Sequence, residues 1–147
     1  MIIEEKIGNE KEYDLKGKEI DFIDIEWYEV NKKIFKTQSR NGKEVGIRFS
    51  EHKHLTQGDI LYLDEKEALL VNIKESKAIA VEPKTMEEMG KLCFEIGNKH
   101  VPVFIHGSRV EVAYDEPLMK LLEQKGFEPK KVTTKLINGL ESHHHHE

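Results

Sequence analysis

The sequence predicts an α+β chain in two parts, a β-rich N-terminal domain and a βαββαβ domain, on three observations. From Met1 to about Lys74, short runs of Ile, Val, Phe and Tyr are separated by turn residues, which is the punctuation of β-structure. After Glu75-Ser76 the pattern becomes strand, helix, strand, strand, helix, strand, the ferredoxin-like order. From Asn138 onward apolar periodicity stops and a histidine-bearing segment closes the chain. The expected divisions are therefore 1–74, 75–137 and a flexible tail over 138–147.

Each element has a local reason. Ile2 to Ile7 and Ile20 to Ile25 read as strands, with Trp27 expected to anchor their core. Lys33 to Gln38 and Glu44 to Phe49 flank Arg40-Asn41-Gly42, and Asn-Gly supplies the positive φ that a tight hairpin demands. Ile60 to Leu63 and Ala68 to Ile73 pair across Asp64-Glu65-Lys66-Glu67. In the second part, Lys77 to Val81 is a strand ended by Pro83. Thr85 with Glu88 three residues on forms a capping box, so a helix runs from Met86 to about Gly97. Val101 to Ile105 and Val110 to Tyr114 are strands around His106-Gly107-Ser108. A second helix starts near Asp115, tolerates Pro117 in its first turn and ends at Gly126. Phe127 to Leu136 closes the series.

Composition excludes several classes. The 147 residues are 37% hydrophobic and 35% charged, with a net charge of −5. The chain is thus polar but foldable, and lacks the cationic field that holds proteins on phosphate backbones. A single cysteine, Cys93, makes no intrachain disulfide. No apolar run approaches the roughly 20 residues needed to cross a bilayer, and the start lacks the basic end of a signal peptide. A cytoplasmic protein is expected, with neither nucleic acid nor membrane as partner. No phosphate loop, dinucleotide fingerprint, His-Glu-x-x-His or Gly-x-Ser-x-Gly is present, so catalysis has no visible home.

The chemistry-bearing candidates are histidines. At 100° per residue, Met86, Met89, Gly90, Cys93, Gly97 and His100 fall in one arc of the first helix, read here as its apolar face. An imidazole on such a face is more often a satisfied core residue than a ligand. Gly97, Asn98 and Pro102, however, place His100 just past the helix end, where it can face outward, and Gly90 and Gly97 leave room for another chain. Cys93 reads as a small buried hydrophobe. His52 and His54, beside Glu51, share one face if extended and read either as a weak metal pair or as an exposed loop. His106 begins a turn, as an accessory ligand or a surface residue. His143, His144, His145 and His146 form the strongest signal, because imidazole suits nickel, copper, zinc and cobalt. Four histidines followed by Glu147 read as a native tail rather than a purification tag.

The run Pro83-Lys84-Thr85-Met86-Glu87-Glu88-Met89-Gly90-Lys91, continuing through Phe94-Glu95-Ile96-Gly97-Asn98-Lys99-His100-Val101-Pro102, closely resembles the metal-binding domain of the UreE urease accessory proteins, a family of nickel metallochaperones. The resemblance extends over the whole chain, including Gly58-Asp59-Ile60-Leu61-Tyr62 and the histidine-bearing C-terminus. It implies an N-terminal domain similar to chaperone peptide-binding domains, and a homodimer with the two His100 side chains binding Ni(II) near the two-fold axis. It implies that Zn(II) can occupy the same site, that the tail histidines add ligands, and that the partners are urease assembly proteins, including the UreG GTPase and the urease apoprotein. Some relatives carry further histidines where this chain has Tyr114, Asp115 and Glu116, so no secondary site is expected there. Two other readings stay open. One is a peptide-binding assembly chaperone with incidental metal binding. The other, ranked last, is a metal-dependent hydrolase, which needs a general base and an open coordination position.

Overall fold

A computed structural model describes residues 1–51 and 54–140 of the chain. The chain divides into two compact units, Met1–Lys74 and Glu75 onward.

In the first unit the strands are β1 (Ile2–Ile3), β2 (Gly8–Asn9), β3 (Glu19–Ile25), β4 (Ile34–Gln38), β5 (Glu44–Arg48), β6 (Asp59–Leu63) and β7 (Glu67–Ile73). They form two sheets, ordered β1-β5-β4 and β2-β6-β7-β3. The Asn-Gly turn closes the β4–β5 hairpin: the Gly42 N–H donates to the Ser39 carbonyl at 2.9 Å, and φ of +88° at Gly42 is the conformation that glycine adopts without strain. The alternation of β3 puts Asp21, Ile23 and Ile25 inward, while Ala68–Val71 of β7 are buried without a break, as in a strand covered on both faces. Strands β3 and β7 pair in parallel.

Two expectations change here. Ile2 to Ile7 is not one strand, because β1 pairs with β5 in one sheet while Gly8–Asn9 pairs with β6 in the other. The chain between them must turn from sheet to sheet. Trp27 is no core anchor: it lies half-buried in a short 3-10 turn, Trp27–Glu29, edge-on to Tyr28 with ring centroids 5.6 Å apart. The interior is instead aliphatic, with Ile23, Ile25, Val45, Ile47, Ile60, Val71 and Ile73 at most 1% exposed.

The second unit contains β8 (Ser76–Val81), α1 (Met86–Asn98), β9 (Phe104–His106), β10 (Arg109–Ala113), α2 (Glu116–Gln124) and β11 (Lys130–Thr134). The sheet order β11-β8-β10-β9, antiparallel throughout, completes the ferredoxin-like arrangement. Ile79, Val81, Val110 and Val112 from the strands meet Leu92, Ile96, Leu118, Leu122 and Phe127 in one core. The opposite sheet face is buried as well: Phe104 and Glu111 are each 3% exposed. A β-carbon at Gly139 would lie only 2.7 Å from the Phe104 ring, so glycine lets the segment after β11 approach that face. The chain is tied down beyond Asn138, where a free tail was expected, because the backbones of Val103 and Leu140 exchange hydrogen bonds of 3.0 and 2.7 Å.

Candidate metal centre

Helix α1 builds the surroundings of His100. Thr85 Oγ1 accepts from the Glu88 N–H at 3.0 Å, satisfying one of the orphan donors at the helix start. The Glu88 carboxylate reaches back to the Lys84 N–H at 3.4 Å, one residue before the cap. At the other end the Lys99 N–H returns to the Ile96 and Gly97 carbonyls, and the His100 N–H donates to the Gly97 carbonyl at 3.1 Å. His100 itself has φ of +56° and is exposed. This is the left-handed conformation that closes many helices and that glycine usually supplies; histidine enters it more readily than most residues with a β-carbon.

The apolar face of α1 differs from the arc expected. Its buried residues are Leu92 and Ile96, with Met89 packed beside them. Met86 is 90% exposed and Phe94 67%, and Gly90 and Gly97 are exposed too. The helix therefore has two apolar stripes roughly a third of a turn apart at 100° per residue. Met86, Gly90 and Gly97 belong to the outward one, whereas Leu92 and Ile96 form the stripe that the sheet covers. Phe94, missed in sequence, joins them and borders an open hollow lined also by Gly90, Lys91, Glu95, Lys125 and Phe127. His100 follows directly at the C-terminal end of this stripe.

The remaining candidates separate. His52 and the tail histidines His143, His144, His145 and His146 lie outside the described residues. His54 is on an irregular segment rather than a strand; its imidazole meets the Asn31 side chain, and its carbonyl accepts from Lys6 Nζ at 2.8 Å. Cys93 Sγ lies 3.8 Å from Met89 Sδ, and burial pushes its thiol up, away from the thiolate a nucleophile needs. At the junction of β10 and α2, Asp115 caps the helix by accepting from the Leu118 N–H at 2.9 Å, and Lys131 Nζ sits 4.6 Å from the Tyr114 ring centroid. Both side chains are thus occupied structurally. His106 faces Glu111, a residue that sequence reasoning passed over because a carboxylate between two valines normally points to solvent. Among the described residues no three His, Cys, Asp or Glu side chains converge on a point where one ion could sit, and no helix is long and apolar enough to cross a membrane.

Fold and site together define a two-domain α+β protein whose ferredoxin-like unit presents an exposed histidine at the end of an apolar helix stripe. Residues 3–74 match the family model described as the UreE urease accessory protein, N-terminal domain, and residues 76–147 match that of its C-terminal domain. A urease accessory protein UreE of Acetivibrio thermocellus is 46% identical over 140 residues, covering 95% of this chain and 92% of the relative. The Flavobacterium johnsoniae protein of the same name is 41% identical over 139 residues, covering 94% and 84%. A third, from Helicobacter pylori, is 36% identical over 140 residues, covering 92% and 82%. The chain belongs to the UreE urease accessory protein family.

Proposed function

We propose that this protein is a cytoplasmic nickel metallochaperone that delivers Ni(II) to the urease active site during urease maturation, as a homodimer and without catalytic activity of its own. The observation that carries the reading is the position of His100, an exposed histidine in a left-handed backbone conformation at the end of an exposed apolar stripe. Alone it is a poor site. A two-fold axis along the stripe brings the same patch of two chains together, removes Met86 and Phe94 from water, and lets two His100 side chains converge on one ion. Gly90 and Gly97 allow the two backbones to approach closely.

On this reading the tail histidines add ligands. Leu140 is tied to Val103, three residues from His100, and His143 follows three residues after Leu140. At roughly 3.3–3.6 Å per extended residue, such a segment spans about 10 Å, enough to return an imidazole to the His100 neighbourhood. Zn(II) fits the same nitrogen donors. Transfer to the urease apoprotein, with the UreG GTPase as a further partner, suits ligands that can leave one at a time.

Removing the imidazole tests the reading. In His100→Ala the tightest nickel step, one ion per dimer by isothermal titration, is expected to disappear while light scattering still shows a folded dimer. Persistence of that step sinks the assignment.

The second reading is a peptide-binding assembly chaperone with incidental metal binding. It is favoured by an open groove over the β1-β5-β4 sheet, lined by Met1, Ile2, Lys36, Gln38 and Val45 among others. On that reading, partner affinity survives loss of His100 and every tail histidine.

A further inference from the structure

Among the described residues of the second unit, Glu111 is the one acidic residue that is buried: its side chain is 3% exposed. Arg109 Nε donates to Oε2 at 2.7 Å, which holds that oxygen in place. The other oxygen, Oε1, is buried and has no hydrogen-bond partner among the described residues, a costly state for an ionised oxygen unless something occupies the space in front of it. His106 Nε2, on the neighbouring strand, stands 3.9 Å from Oε1. The hairpin register explains the meeting: His106 pairs with Arg109, so Glu111, two residues on, lies diagonally across on the same face.

The separation is too long for a hydrogen bond and close to what one metal ion spans. With ligand distances of about 2.0–2.2 Å, a nitrogen and an oxygen on one ion stand about 3.4 Å apart at a tetrahedral angle and about 4.2 Å apart when collinear. The His106 side chain is 47% exposed, so its ring can be reached from solvent, and an ion arriving there retains water in its other positions. Arg109 plays the part usual for a second partner of a ligating carboxylate, aiming the free oxygen.

We propose that His106 and Glu111 form a second divalent-metal site on the β9–β10 hairpin, of low affinity because the chain supplies two ligands, and separate from His100. An imidazole nitrogen with a carboxylate oxygen suits a borderline cation such as Zn(II) or Ni(II) rather than Mg(II) or Ca(II). The site stands on the hairpin geometry and does not require the chaperone reading to be correct.

Zinc titration of the full chain, followed by the ¹⁵N resonances of the histidine rings, tests it residue by residue, because each ring reports its own coordination. The His106 Nε2 resonance is expected to shift after the tightest equivalents are taken up, and to do so equally in His100→Ala. Glu111→Gln should move that response to at least about tenfold higher zinc. His106→Ala, at an exposed position, should lower the zinc bound at saturation by one ion per chain even if Glu111→Gln does not fold. A His106 resonance that stays fixed up to millimolar zinc, or a stoichiometry unchanged in His106→Ala, overturns the proposal. Because the His100 ring is read separately, its failure to bind would leave this result standing.

Discussion

Arg40 shows how much a single side chain does in the first unit. It donates to both oxygens of Asp24, at 2.9 and 2.7 Å, and lies 4.3 Å from the centroid of the Phe22 ring. The Asp24 carboxyl is consequently held below the usual carboxylate range, chiefly by the Arg40 hydrogen bond against an opposing burial penalty. A carboxyl whose folded pKa is depressed adds stability above its unfolded value, near ~4, and loses that addition as pH falls through the folded value. Arg40→Ala should therefore lower the urea midpoint at pH 7, and the gap to the parent should narrow as pH drops below about 4. Urea melts at both pH values check this; a gap that is the same at each removes the ion pair from the account. The pair is partly exposed, at 49% and 30%, so added salt should also shrink the effect.

At the scale of the element, α1 has two faces that can be tested independently. Leu92 is fully buried, and Leu92→Ala should cost about 2–5 kcal/mol of unfolding free energy through lost transfer energy and a residual cavity. Phe94 is 67% exposed, and Phe94→Asp should change the stability of the single chain by no more than about 0.5 kcal/mol while converting the proposed homodimer to a monomer. Chemical denaturation and analytical ultracentrifugation together separate the two. A Phe94→Asp protein that remains dimeric would place the two-fold axis on another surface.

At the scale of the whole molecule, metal binding should depend on the tail unequally. Truncation after Leu140 keeps the backbone pairing of Leu140 with Val103, so the second unit should stay folded and the His100 step should remain, with fewer nickel ions bound at saturation. Complete loss of nickel binding would make the tail the whole site. Acid should act on all histidine ligands together, since each must be neutral to donate its lone pair. With an imidazole reference of ~6.5, apparent nickel affinity should fall more than about tenfold per pH unit below pH ~6. Titration in a non-chelating buffer checks this, and a flat profile would point to carboxylate ligands instead.

What the sequence determined by itself is whatever short-range chemistry dictates. Asn41-Gly42 set a hairpin, Thr85 and Asp115 started helices, Gly126 with φ of +84° ended one, and strand–helix order defined the ferredoxin-like unit and the α+β class. The family was legible in the run around Gly97-Asn98-Lys99-His100. What only the tertiary structure decided are questions of partner. Ile2 and Gly8 enter different sheets because strand pairing joins residues distant in the chain, and Trp27 lost the core to isoleucines already packed on alternating strands. The outward and inward stripes of α1 are both apolar, so periodicity could not say which one the sheet would cover. Glu111 reads as a solvent-facing residue between two valines. It becomes a buried carboxylate facing His106 only because both faces of its sheet are covered, and no local pattern in the sequence carries that information.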